Sequence, residues 1–596
     1  MPATLAADPP KVAAPPGGSF LIRDSSPSAV LTPEDFSEIQ HQIRATTRRF
    51  MDEEVNPQIP ALERQDQGLM RALIRQSGEL GLLGVLVPEH YDGLELDITT
   101  QMLVCECIGT YASFSTTYGG HAGIGTMPIV FFGTEQQKEK YLPRLVAGEI
   151  LGAYCLSEPH AGSDSLASRT RAELTPDGRH YVLNGQKMWI SNGGWADLYT
   201  VFAKVDGERF TAFLVERAWE GVKPGAEEHK MGLRGSSTTA LYLDDVRVPV
   251  ENVLGEVGRG HVIAFNVLNM GRLELAAACV GGAKDLLGES ARYAMQRRAF
   301  GQPIGHFGAI RQKLGDMAME TFAGEALTYR TAGMIDARLE GLSWEDPGAP
   351  RKALKAIEEY AIECSIAKVY LSEALDHVAD EAVQIHGGYG YHQDYVVERG
   401  YRDSRINRIF EGTNEINRML TAGMLFKRAA QGRLDLMGVP DASRPRAAHA
   451  LADGPKTVYQ EHRDRVGRAK RATLAVARLA RRRLGSGLER NQEVTGALAN
   501  MMMEAYAAES ALLRAGRVEE AGAGVVVGDI LTGLLHHTMT RLRTLGGHVI
   551  GACCTGADLD SGHKAFESLL AIRPIDMPAI RDRVAARVLE AGRFAF

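Results

Sequence analysis

An α+β fold, mostly α, follows from three observations on this chain of 596 residues. Apolar residues recur at helical spacing from Thr32 to about Gly148. Near residue 151 the period changes to β-type runs, and from Gly260 to about Ala430 helical spacing returns. The expected order is a disordered leader (1–30), an N-terminal helical domain (31–150), a central β-domain (151–256), a C-terminal four-helix bundle (257–430) and an additional C-terminal helical domain (431–596).

The leader, MPATLAADPPKVAAPPGGSF at its start, is rich in Ala, Pro and Gly. It has neither the apolar core of a secretory signal nor the Arg-rich amphipathic pattern of a transit peptide. No apolar run reaches the ~18–20 residues needed to span a bilayer. With 45% hydrophobic and 24% charged residues the chain reads as globular, and its formal net charge of −7 argues against a nucleic-acid binder. Seven Cys without a CxxC pair form neither a disulfide framework nor a metal site, so a reducing, cytoplasmic setting is expected.

In the first helical block, Pro33 followed by Glu34 and Asp35 reads as a helix start. Residues 113–126, SFSTTYGGHAGIGT, are dominated by small side chains, which allow either tight helix packing or room for something else. The β-type runs HYVLNGQKMWIS, DLYTVFAKVDGERFTAFLVE and TTALYLDDVRVP carry turn signals at Asp177–Gly178, Asn184–Gly185 and Asp206–Gly207. Before them, AYCLSEPHAGSDS (153–165) is a loop with backbone donors and hydroxyls suited to a polar planar ring or a phosphate. Trp189, Ile190 and Ser191 set an aromatic face next to a hydroxyl.

The Ala-rich run MGRLELAAACVGGAKDLLGESARYAM resembles closely packed bundle helices. It leads to Arg297 and Arg298 before Phe300–Gly301; such guanidiniums suit a diphosphate, or are solvated surface charges. QIHGGYGY (384–391) is Gly-rich but is not GxGxxG after a strand, so a Rossmann site is not supported. In YRDSRINRIFEGTNEINRML (401–420), Thr413 is a helix N-cap and Glu411 sits on the loop before it, where unsatisfied N–H groups point outward. A carboxylate there can act as a base while amides polarise a carbonyl, or it is an ordinary helix-entry acid.

After a linker, SRPRAAHALADGP, the segment GRAKRATLAVARLARRRL (467–484) carries several Arg and Lys and an apolar stripe of Ala469, Ala472, Val476 and Ala480. Such a helix can make peripheral contact with an anionic membrane, or belong to a bundle with a charged outer face. Ala497–Leu513 and Val525–Leu545 are apolar enough to pack as a second bundle.

AYCLSEPHAGSDS, KMWISNGG, RRAFG, QIHGG and IFEGTNEI occur in the order and at about the spacings of the acyl-CoA dehydrogenase family, and residues 35–430 resemble it. VLNMGRLELAAA and the long tail resemble its very-long-chain branch most closely. The resemblance implies FAD as cofactor and Glu411 as catalytic base. It places Tyr154, Leu156, Ser157, Gly162 and Ser163, with Trp189, Ile190 and Ser191, at the flavin. Arg297, Phe300, Gln384, Gly387 and Gly388 would reach the FAD diphosphate and adenosine, in this family usually from a neighbouring subunit. Phe307, followed by Gly308 where many short- and medium-chain members have a glutamine, and Thr413, Asn414 and Glu415 are also placed beside the cofactor. Ser163, Asn269, Arg272 and Gly412 match acyl-CoA contacts, and Gly119, Gly120 and Gly123 fall where the acyl pocket ends, so that a long alkyl chain can run deeper. The implied reaction is α,β-dehydrogenation of a long-chain fatty acyl-CoA to the trans-2-enoyl-CoA, the first step of β-oxidation, with electrons passed to an electron-transfer flavoprotein. A homodimer or tetramer is implied as well. The alternatives are an acyl-CoA oxidase using O₂ and a dehydrogenase-fold interaction or assembly protein.

Overall fold

The computed structural model describes residues 12–436, 457–520 and 525–596. Its first α-helix, Glu38–Phe50, starts later than Pro33 suggests. Thr32 and Asp35 close a single 3₁₀ turn, and the helix begins beyond Ser37, whose side chain and that of Gln40 form a reciprocal cap. Further helices, among them Ile98–Ile108 and Ala112–Tyr118, complete this domain, and the small-residue stretch Gly119–Gly123 forms one wide π-turn.

The β-domain is an eight-stranded sheet. Its strands are β1 (Gly152–Cys155), β2 (Arg171–Leu174), β3 (His180–Ser191), β4 (Leu198–Val205), β5 (Arg209–Glu216), β6 (Val222–Glu227), β7 (Thr238–Pro249) and β8 (Val253–Leu254). The order β6-β7-β3-β2-β4-β5-β8 is mostly antiparallel; β4 also pairs in parallel with β1 and β2. Alternation along β4 and β5 builds two cores. Leu198, Phe202, Phe210, Ala212 and Leu214 face the helices, while Tyr199, Val201, Phe213 and Val215 face a core within the β-domain. Asp177–Gly178 and Asp206–Gly207 fall in the β2–β3 and β4–β5 connections. Asn184–Gly185 is no turn. It is a register shift inside β3, where a Cβ on Gly185 would stand 2.5 Å from Thr170 Oγ1, so glycine is there for close approach.

The bundle is formed by Gly260–Gln296, Gly308–Leu339, Ala361–His386 and Asn414–Ala430. The first of these is long and apolar enough to cross a membrane by composition alone, yet its apolar residues are mostly buried within the fold. Beyond the bundle, Val458–Leu484, Gln492–Glu520 and Val525–Cys553 pack side by side. Ala469, Ala472, Val476 and Ala480 are buried there with Leu498, Met501 and Leu542. The stripe on 467–484 is therefore a bundle face. Buried ion pairs tie this extension to the body, Arg330 with Glu509 at 2.8 Å and Arg514 with Glu325 at 2.7 Å.

The leader also needs correction. Phe20 and Leu21 are buried, with Phe20 4.8 Å from the Tyr506 ring. The Gly18 N–H donates to the buried Glu363 carboxylate at 2.6 Å. Residues 12–30 thus fill a seam between bundle and extension, while residues 1–11 and the expected linker SRPRAAHALADGP lie outside the described residues.

Candidate active site

Glu411 stands on the loop between the bundle's last short turn and helix Asn414–Ala430, whose N-cap is Thr413 (its Oγ1 accepts the Ile416 N–H at 3.3 Å). Glu411 has φ 57° and the next residue, Gly412, φ 79°. Two successive left-handed residues turn the chain sharply and aim the carboxylate back at helix Gly260–Gln296. There, a Cβ on Gly271 would lie 2.9 Å from Glu411 Oε2, so only glycine leaves the carboxylate its place. Oε2 is buried and has no hydrogen-bond partner.

The loop is held from two helices. Arg272 donates Nε–H to the Glu411 carbonyl at 3.2 Å and Nη1–H to Asn269 Oδ1 at 2.8 Å. Lys368, fully buried on helix Ala361–His386, donates to the Gly412 carbonyl at 2.9 Å and to Asn414 Oδ1 at 2.7 Å. Burial pushes the Glu411 carboxyl above the usual carboxylate range, against the opposing pull of Arg272 and Lys368. Burial likewise draws the Lys368 ammonium down to about 8. A carboxylate raised in this way is a stronger base than one in water.

A cavity of about 110 Å³ opens beside Glu411. Gly119, Gly120, Ser191, Gly271 and Phe410 line it near the carboxylate, and Gly109, Ala112, Thr116 and Ala278 continue its wall. A Cβ on Gly119 would meet nothing within 4 Å. Gly123 stands behind Glu274 and is not itself in the lining of this cavity. A Cβ there would run into Glu274 Oε2, so this glycine is needed for the approach of that carboxyl.

Of the expected flavin-wall residues, Tyr154 is buried with its hydroxyl toward the Ala264 carbonyl (3.4 Å), and Leu156 and Ile190 are buried. The carbonyl of Ser157 accepts the Met188 N–H at 3.0 Å, joining the loop after β1 to β3. Gly162 and Ser163 are exposed on that loop. Trp189 has φ 61° and is 59% exposed, its indole turned out of the strand beside half-buried Ser191. Thr413 is half-buried and Glu415 exposed, but Asn414 turns inward: its Nδ2 donates to Ser372 Oγ and Glu373 Oε1, both at 3.0 Å. Those bonds and the one from Lys368 engage its whole side-chain amide.

The remaining expected cofactor residues gather elsewhere on the bundle. The Arg297 guanidinium lies 5.4 Å from the Tyr389 ring, Phe300 (φ 50°, 95% exposed) sits edge-on 5.9 Å from Phe307, and Gln384, Gly387 and Gly388 are exposed. No hydrogen bond, ion pair or ring contact among the described residues joins this group to Glu411.

Sequence reasoning missed Lys368 and Glu274. Lys368 is a lone charge in the apolar run SIAKVYL, and Glu274 stands two residues after Arg272 in RLELAAA; such interruptions of a buried face are the available signal.

The residues fit a flavin: an exposed indole held out on a left-handed strand residue, a hydroxyl next to it, an open glycine-containing loop, and a buried carboxylate oxygen without a partner beside a largely apolar cavity. Fold and site together fit an oxidoreductase class: a desolvated carboxylate beside a cavity, with an exposed ring and hydroxyl next to it. Family models agree along the length of the chain. The acyl-CoA dehydrogenase N-terminal domain matches residues 37–149, the middle domain 153–246 and the C-terminal domain 258–426, and a further acyl-CoA dehydrogenase C-terminal domain model matches 468–560. The chain belongs to the acyl-CoA dehydrogenase family. It is 42% identical over 585 residues to a probable acyl-CoA dehydrogenase of Bacillus subtilis, covering 97% of this chain and 98% of that one. The crystal structure of an acyl-CoA dehydrogenase complexed with FAD from Bacillus anthracis superposes with a TM-score of 0.94 at 41% identity, over 98% of this chain and 100% of that chain. The mouse mitochondrial very long-chain specific acyl-CoA dehydrogenase is 39% identical over 416 residues, 68% of this chain but 60% of that protein. The chain is thus an FAD-dependent oxidoreductase of acyl-CoA dehydrogenase type.

Proposed function

We propose that the protein dehydrogenates long-chain fatty acyl-CoA thioesters to trans-2-enoyl-CoA and passes the electrons to an electron-transfer flavoprotein. The observation that carries the chain-length reading is the wall of the cavity. At about 110 Å³ it is smaller than the ~150 Å³ that holds a benzene ring. A long chain must therefore part its walls, where the small residues Gly109, Ala112, Gly119 and Gly120 stand among larger ones such as Ile108, Tyr118, Leu275 and Leu375. Each methylene so buried contributes about 0.8 kcal/mol. The similarity to the mouse very long-chain specific enzyme supports the same reading.

Glu411 takes the α-proton. Its desolvated carboxylate is unpartnered at Oε2, and the turn through Gly412 holds it toward the cavity. Arg272 and Lys368 grip the carbonyls of residues 411 and 412, so the loop does not yield as the proton moves. The Glu411 backbone N–H is a donor for the thioester oxygen, whose developing charge must be stabilised for so weak a carbon acid to react. FAD, when bound, supplies the acceptor for the hydride from Cβ. Tyr154, Ser157, Trp189, Ile190 and Ser191 would flank its ring, with Thr413 and Glu415 near it. Arg297, Phe300, Phe307, Gln384, Gly387 and Gly388 would serve the FAD of a neighbouring subunit, which accounts for their separation from Glu411 and for the exposure of Phe300. Two copies would then complete two sites.

Anaerobic bleaching of the flavin band by acyl-CoAs of graded length tests this reading. Bleaching best with long chains is the expected result; bleaching best with short chains would overturn the chain-length reading. Rapid peroxide formation in air without an added acceptor would replace the dehydrogenase by an oxidase.

A further inference from the structure

The acyl cavity is not wholly apolar. Glu274 stands in its wall, one helical turn beyond Gly271 and so ~4.5 Å further along helix Gly260–Gln296 from the position facing Glu411. It is buried and takes a single hydrogen bond from a side chain, Gln101 Nε2 to Oε1 at 3.1 Å. Gln101 is itself buried, and its Oε1 faces the Tyr118 hydroxyl at 3.5 Å. The other carboxyl oxygen, Oε2, packs over Gly123 and has no hydrogen bond among the described residues. Among the described residues no cation pairs with the group, and burial holds it up to about 7.

With its proton on, this carboxyl carries an O–H donor and a free acceptor; with it off, two acceptor oxygens. An alkyl chain laid over it would cover both without replacing their bonds to water, which is unfavourable. A chain with a hydroxyl at that level would satisfy them. A site built to bond a hydroxyl discriminates against the analogue without one far more strongly than an apolar wall discriminates against an added hydroxyl.

We propose that Glu274, oriented by Gln101, is a specificity-determining residue that recognises a hydroxyl on the acyl chain a few carbons beyond the reacting pair. The proposal rests on the dehydrogenation reading above. It is tested on the FAD-loaded enzyme with acyl-CoAs of one fixed length, either plain or carrying a hydroxyl moved carbon by carbon along the chain, by the rate of anaerobic flavin reduction. One hydroxyl position should exceed the plain chain about tenfold, the effect of one buried hydrogen bond. E274L should abolish that preference, E274Q should keep it, and Q101L should weaken it. Equal rates for plain and hydroxylated chains in the wild type, or the same preference retained in E274L, would overturn it. If E274L does not fold, the wild-type position scan and Q101L still decide. Equal reduction by plain and hydroxylated chains sinks this proposal alone, whereas no flavin reduction by any acyl-CoA sinks the dehydrogenation reading with it.

Discussion

Replacing Lys368 by methionine separates holding the loop from holding the fold. The ammonium makes two buried bonds, to the Gly412 carbonyl at 2.9 Å and Asn414 Oδ1 at 2.7 Å. Hydrogen bonds from a charged group are each worth about 1.5–3 kcal/mol. Against them stands a net cost to the charged form, burial outweighing the attraction of Glu411: its pKa falls from 10.5 to about 8, which corresponds to ~3 kcal/mol at 1.36 kcal/mol per unit. K368M should therefore destabilise the protein by only ~0–3 kcal/mol. Its effect on the reaction should be larger. With the Gly412 carbonyl released, Glu411 loses one of its two anchors, and a displacement of ~1 Å from reacting geometry can cost about 100-fold in rate. Removing the cation also lets the Glu411 carboxyl rise further, so the acid limb of the rate profile should move to higher pH. The assay is the pH dependence of single-turnover flavin reduction, alongside denaturant unfolding. A variant with wild-type rate and an unmoved acid limb would refute the role given to Lys368.

Four further outcomes follow from the same geometry. Because Lys368 binds its proton less tightly folded than unfolded, the stability of wild type relative to K368M should rise with pH between about 8 and 10.5 and be flat below that window; pH-resolved denaturant melts check this. G271A should leave the fold intact and slow flavin reduction about 100-fold, since the added methyl would stand 2.9 Å from Glu411 Oε2; an unaffected rate would contradict that contact. G119L, at a helical residue with φ −64° and open space at its Cβ, should fold normally yet weaken long-chain substrates about tenfold or more while sparing short ones, as read by KM across chain lengths. R514M should cost about 3–5 kcal/mol by removing a buried cation shared by Glu34 and Glu325, seen as a lower unfolding midpoint with the chain-length preference unchanged.

Local patterns carried much of this structure into the sequence. The change of hydrophobic period marks the β-domain within a few residues of β1 and β8, and Thr413 caps its helix as its residue type and the spacing after it require. What was not legible depends on partners distant in sequence. Gly123 reads as open space until Glu274 arrives from another helix to occupy it. The Ala-Pro-Gly composition of the leader hides Phe20 and Leu21, whose burial needs Tyr506 near the other end of the chain. The alanine stripe on 467–484 suits a membrane face and a bundle face equally, and only its packing against helices Gln492–Glu520 and Val525–Cys553 decides between them. Asn184–Gly185 has the residues of a hairpin turn, but a strand continues through it because Thr170 passes too close for any side chain.

The central claim is that Glu411 is the base, and E411Q tests it most directly. Glutamine preserves the shape of the side chain and, with a neutral group, leaves the Arg272 and Lys368 bonds to the loop carbonyls in place. The variant should bind FAD and acyl-CoA, with the substrate perturbing the oxidised flavin spectrum, but its anaerobic bleaching should be slower by several orders of magnitude. Bleaching at close to the wild-type rate would show that another group takes the proton, and Glu411 would revert to an acid at a helix entry.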